Sequence, residues 1–112
     1  MKINKELIKG STTMLVLSLL INEDMYGYQM IKELKERSDD TFSLKEGTLY
    51  PILHSLDSKG LINSYWEKTD SARKRKYYTI TENGKEFLVE KQKEWNTYSS
   101  AVKKVLGGEC ID

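Results

Sequence analysis

A chain of 112 residues has room for one domain with a modest core and excludes a second domain of its own. Hydrophobic residues make up 38% and charged residues 31%, the balance of a globular protein, and the longest apolar run, Met14–Ile21, is interrupted by Ser18 and too short to cross a bilayer. Lys and Arg number 18 against 17 Asp and Glu, so net charge neither requires nor excludes a polyanionic partner, and the placement of the cations must decide.

Residues Lys5–Ile21 read as a first helix whose second half is apolar almost all round. Such a helix must be covered on several sides, and a domain this small offers few elements to cover it. The turn residues Asn22-Glu23-Asp24 break the run, and a second helix over Tyr26–Arg37 turns Met30, Ile31 and Leu34 inward. Ser38-Asp39-Asp40 stops it, and Thr41–Leu44 follows as a short extended piece.

The next stretch, Leu44–Gly60, is the most informative. Leu49, Ile52, Leu53 and Leu56 recur at helical spacing and form a stripe that must face a core. The opposite face carries Gly47, Pro51, His54, Ser55 and Ser58, flanked by Thr48 and Tyr50. A slim, neutral face rich in hydrogen-bonding groups suits a helix that enters the DNA major groove, although a surface helix that merely lacks charges reads the same way. Ser43 and Glu46 have capping-box spacing for its start, and Lys59-Gly60 supplies a cation and a left-handed stop. Pro51 removes one backbone bond, so the helix either bends around Gly47 or breaks near residue 50; the uninterrupted stripe favours the bend.

Leu61–Lys68 alternates and is rich in β-formers. After the polar tip 69–72 comes the run Arg73-Lys74-Arg75-Lys76, then the strand Tyr77–Ile80, giving an antiparallel hairpin with a basic returning arm. Basic strand residues often only guard a sheet edge. Directly after a helix-turn-helix pattern, a wing that grips phosphates is the better account, and Trp66 is expected to pack structurally. Thr81 caps a last helix, Glu82–Leu106, stopped by Gly107-Gly108. Leu88, Trp95 and Val102 stand seven apart, and Lys91, Tyr98 and Val105 form a second seam position, flawed by Lys91. This seam, with the apolar first helix, predicts two subunits sharing a core.

The expected architecture is mainly α (α+β): a winged helix-turn-helix domain over residues 1–80, with helix 1 shared with the dimer interface, and a long C-terminal dimerisation helix with a short tail over residues 81–112. Three segments also resemble the PadR-like transcriptional regulators: MYGYQMIKEL at 25–34, LKEGTLYPILHSLDSKGLI at 44–62, and RKYYTIT at 75–81 followed by Gly84. They span most of residues 5–106, and the chain is similar to the short subfamily with a single C-terminal helix. That family often has Gly-Arg-Pro before its Arg-Lys-Tyr-Tyr, where this chain has Ala72-Arg73-Lys74, so its wing tip differs. The resemblance implies a homodimeric repressor that leaves a pseudo-palindromic operator in double-stranded DNA when an aromatic compound binds or another signal arrives.

On this reading Thr48, Tyr50, Pro51 and His54 lie nearest the bases or groove wall, Lys45 and the helix N-terminus attract the DNA backbone, and Arg73, Lys74 and Arg75 serve the wing. Leu88, Trp95, Tyr98, Val102 and Val105 are the expected dimerisation residues. Two Trp95 indoles across a two-fold axis can stack on a planar aromatic guest, with Met14, Leu17 and Ser18 lining the cavity; the resemblance supports this, since drug-responsive family members have a tryptophan in the corresponding helix. Alternatively Trp95 simply fills the interface. No catalytic set, metal site or cofactor loop is visible: His54 is the only histidine, and Cys110, the lone cysteine, excludes an intramolecular disulfide. Neither a membrane partner nor a secretion signal is expected, and the single thiol fits the reducing cytoplasm. A winged-helix module that binds protein rather than DNA is the rival reading, and the basic arm tells against it.

Overall fold

The computed structural model describes residues 2–69 and 73–107; the expected wing-tip residues Asp70, Ser71 and Ala72, and likewise Gly108 and Cys110, lie outside them. The elements run α1 (Lys5–Lys9), α2 (Thr12–Leu20), β1 (Met25–Tyr26), α3 (Gly27–Arg37), α4 (Glu46–Ser58), β2 (Ile62–Lys68), β3 (Lys74–Ile80) and α5 (Glu82–Leu106). The fold is a mixed α+β winged helix with a small sheet and a long last helix.

The single first helix expected over Lys5–Ile21 is instead two. The Ile8 carbonyl, which an unbroken helix would pair with the Thr12 amide, accepts from the Ser11 hydroxyl at 3.2 Å, the Thr12 hydroxyl at 2.9 Å and the Ser11 amide at 3.0 Å. Short hydroxyl side chains that compete for a backbone carbonyl after a glycine end a helix there. The break frees α1 from the core: none of its residues is buried.

α2 is the centre of the molecule. Val16, Leu17, Leu19 and Leu20 are all buried, against Met30 and Leu34 of α3, Leu49, Leu53 and Leu56 of α4, Met25, Leu61 and Ile62 at the sheet, and Leu88 of α5. Most of its apolar surface is therefore met by elements of the same chain, with Met14, Leu15 and Ser18 left half-buried. At roughly 1.5–3 kcal/mol for each large side chain taken out of water, these contacts dominate the stability of the fold.

β1 was not legible in the sequence. The sheet has order β1-β3-β2, antiparallel throughout, with Met25 opposite Tyr78 and Tyr26 opposite Tyr77. Two residues are too few for an alternation to register, and Tyr26 caps α3 instead of opening it. β3 also starts earlier than expected, at Lys74, so most of the basic run is strand, paired from Ile62–Ile80 out to Lys68–Lys74.

α3 ends where Ser38 donates its hydroxyl to the Leu34 carbonyl at 2.6 Å and accepts the Phe42 amide at 2.9 Å. Phe42 and Leu44, in the extended link, pack against the core. Keeping them there delays the next helix. α4 therefore begins at Glu46, with Lys45 as its cap residue and no side-chain capping bond, so the expected Ser43–Glu46 capping box does not form. α4 then runs through Pro51 to Ser58 without a break, and Gly60 turns left-handed behind it at φ 75°. Thr81 caps α5 by accepting the Gly84 amide at 3.0 Å, while its own hydroxyl donates to the Gly60 carbonyl at 2.8 Å. One residue thus ties α5 to the turn between α4 and β2. Among the described residues no helix is long and apolar enough to cross a membrane.

Candidate nucleic-acid interface

α4 presents two faces. Leu49, Leu53 and Leu56 are buried, whereas Lys45, Thr48, Tyr50, Pro51 and His54 are exposed on the far side, all five on the face that the hydrophobic period assigns to solvent. β2 leaves the end of α4 and runs back along it, so the outer half of the hairpin returns to the level of the first turns of α4. A cleft of about 510 Å³ marks the meeting point. α4 lines it with Glu46 and Tyr50, the start of α3 with Gly27 and Tyr28, and the basic run with Arg73, Arg75 and Lys76; Tyr26 and Tyr78 complete it.

The packing inside the cleft is specific. The Tyr50 ring lies so close to Gly27 that a Cβ there would stand 2.6 Å from its Cε1. Its hydroxyl faces the Glu46 carboxylate at 3.5 Å, and burial first, then the Glu46 charge, raises the Tyr50 pKa. Tyr78 is raised for the same leading reason, with Tyr50 and Asp57 adding to it. Both phenols therefore stay neutral hydrogen-bonding groups at ordinary pH. Arg75 stacks its guanidinium 4.3 Å from the Tyr26 ring centroid. Tyr26 in turn meets Tyr77 edge-on at 5.4 Å, and Tyr77 stacks on Tyr65 at 5.8 Å. A guanidinium placed over a ring face by a cation–π contact makes no use of its N–H donors there, and those donors match a phosphate's oxygens. None of the four ion pairs found among the described residues involves Arg73, Lys74, Arg75 or Lys76.

The fold thus brings Tyr50, Arg73 and Arg75 together, as a wing beside a recognition helix requires. Lys45, Thr48, Pro51 and His54 lie on the same helix outside the cleft, and Lys74 is exposed at the start of β3. Sequence reasoning missed Tyr26, Gly27, Tyr28, Glu46, Lys76 and Tyr78. The Tyr26-Gly27-Tyr28 triplet was visible as a string, but only the pairing of β1 with β3 places it against α4. Trp66, expected to pack structurally, is 63% exposed, because the hairpin outruns the elements that could cover it.

α5 divides into two parts. Leu88, expected at a subunit seam, is 4% exposed and belongs to the core of its own subunit. Beyond it Trp95, Tyr98, Val102 and Val105 are all exposed, Val105 to 87%, and the Trp95 and Tyr98 rings lie 6.4 Å apart. The Lys91 ammonium donates to Glu94 at 3.0 Å and lies 5.4 Å from the Phe87 ring centroid, so the charge at this heptad position is held by its own helix. Of the residues expected to line an effector cavity, Leu17 is fully enclosed in its own core and is removed from any intersubunit space, while Met14 and Ser18 are half-buried.

Comparison with known proteins agrees with this geometry. The model of the transcriptional regulator PadR-like family matches residues 16–90. A transcriptional regulator from Clostridium thermocellum superposes with a TM-score of 0.84 at 33% identity, over 91% of this chain and 96% of that one. A PadR family transcription regulator from Clostridium difficile gives a TM-score of 0.76 at 38% identity, over 86% and 98%. The negative transcriptional regulator PadR of Bacillus subtilis is 30% identical over 73 residues, which are 65% of this chain and 40% of that longer protein. These neighbours are regulators of transcription, not enzymes, and the family match runs from the middle of α2 through the first third of α5, including every element of the cleft; the chain is a member of the PadR-like transcriptional regulator family.

Proposed function

We propose that the protein is a homodimeric, sequence-specific DNA-binding repressor acting in the cytoplasm. The observation that carries this reading is the cleft that joins the first turns of α4 to the cations Arg73, Arg75 and Lys76 of the hairpin. The outer face of α4 enters the major groove, with Thr48, Pro51 and His54 toward the bases and Tyr50 toward a phosphate. Lys45, Arg73, Lys74 and Arg75 hold the DNA backbone. Two copies join through Trp95, Tyr98, Val102 and Val105 on the free half of α5, which presents its two α4 helices to successive turns of a pseudo-palindrome. The Bacillus subtilis relative is named a negative regulator, which supports repression as the sense of control.

Selection of bound duplexes from a random pool tests this. The expected product is an inverted repeat with half-sites about 10 bp apart, centre to centre. Recovery of no enriched sequence would contradict it and favour a module that binds protein. Release is assigned to a planar aromatic compound held between the two Trp95 side chains, with Met14 and Ser18 nearby. Quenching of indole fluorescence by such compounds, abolished in Trp95→Ala, is the expected result; unquenched emission across a broad panel assigns Trp95 to the interface alone.

A further inference from the structure

The wing carries an apolar side chain that the proposed phosphate contacts do not use. In β2 and β3 the residues Ile62, Ser64, Trp66 and Lys68 share one face with Lys74, Lys76, Tyr78 and Ile80. Toward α4 this face is core: Ile62 is buried, and Tyr78 and Ile80 pack against the cluster. Past Tyr78 this face is exposed among the described residues: Trp66 stands 63% exposed, directly opposite Lys76.

The company Trp66 keeps defines its partner. Its face carries Lys68, Lys74 and Lys76 and no carboxylate among the described strand residues; Glu67 falls on the opposite face, across from Arg75. Two such faces from two copies would set lysines against lysines, so self-association is disfavoured there. A polyanion with an apolar surface between its charges is what this pattern matches. Duplex DNA has that character along its minor groove, where deoxyribose edges lie between two lines of phosphates. Lys76 also lines the cleft with Tyr50 and Glu46, so the Trp66 face is continuous with the first turns of α4.

We infer that Trp66 is a DNA contact of the wing, packing its indole against minor-groove sugars while Lys68, Lys74 and Lys76 hold the flanking phosphates. This rests on the DNA-binding reading above and adds to it an uncharged contact, whose signature differs from that of the cations. An indole releases no counterions, whereas each phosphate contact contributes about −0.9 to the slope of log K against log salt.

The experiment uses the full chain labelled with 5-fluorotryptophan and a duplex recovered from the random pool. Two fluorine resonances are expected, from Trp66 and Trp95, with Trp66→Phe assigning them. Addition of the duplex should shift the Trp66 resonance in the unsubstituted protein, a readout that needs no variant to fold. Trp66→Ala should weaken binding about tenfold or more with the salt slope unchanged, as for an aromatic contact without charge. Lys76→Ala should instead flatten the slope by about 2 for a dimer. A Trp66 resonance that stays in place, or a Trp66→Ala protein that binds as tightly as the parent, overturns the inference and leaves the DNA-binding reading standing. If the parent shows no salt-dependent affinity for the duplex, both fall together.

Discussion

Tyr65 donates its hydroxyl to the Asp24 carboxylate at 2.7 Å, and this bond, ahead of burial and the charges around it, pushes its pKa up to about 12. The folded state thus favours the neutral phenol. The contribution of the bond to stability is complete below the ordinary tyrosine value of about 10 and is lost as pH rises through about 12. Ultraviolet titration of the seven tyrosines should show its latest phase near that pH, lost in Tyr65→Phe while the raised Tyr50 and Tyr78 still titrate; a phase of full size near that pH in the variant would refute the assignment. A second residue-scale prediction concerns Gly27. An added Cβ meets only the far end of the exposed Tyr50 side chain, so Gly27→Ala should displace that ring at little cost in stability, within about 0.5 kcal/mol. DNA affinity should fall several-fold while the melting temperature holds. Loss of both together would show that the contact is structural. At this scale the sequence disclosed outward-facing residues such as Thr48 and His54, because a helical period sorts them without tertiary information. It could not disclose Arg75 on Tyr26 or Tyr50 on Gly27, since these contacts join residues 49 and 23 positions apart.

At the scale of elements, boundaries followed competition for backbone groups more than hydrophobic patterning. α3, α4 and α5 carry clear periods and were legible. The split after Lys9 was not, because its cause is three donors converging on one carbonyl at Ile8. The start of α4 was displaced from the expected capping box by the packing of Phe42 and Leu44, a tertiary demand that a local motif cannot anticipate. Gly84 shows how tightly the last helix is seated. A Cβ there would fall 2.1 Å from the Leu61 carbonyl oxygen and 2.7 Å from Ile80 Cγ1, so α5 or the start of β2 must move. Gly84→Ala should therefore destabilise the fold by about 1–3 kcal/mol, the usual range for overpacking, and backbone on one side argues for the upper end. Calorimetry would register a fall of roughly 4–8 °C per kcal/mol. An unchanged melting temperature would mean that α5 is not seated on the sheet as described.

For the whole molecule, the largest run of exposed apolar side chains at helical spacing among the described residues lies on the outer half of α5, where Trp95, Tyr98, Val102 and Val105 stand exposed. The heptad period picked out these exposed residues from sequence as a proposed seam, but it also claimed Leu88, which the fold buries. Val102→Asp with Val105→Asp should turn a dimer into a folded monomer in sedimentation velocity, with melting of the protomer largely retained. A variant that remains dimeric would place the interface elsewhere. In the proposed dimer, two linked copies together bring some 8 phosphate contacts, about 4 from each copy, to one duplex. The most direct test of the regulator assignment is therefore the salt dependence of affinity for a selected duplex, measured by fluorescence anisotropy. The account predicts a slope of log K against log salt near −7. A slope near zero would contradict it.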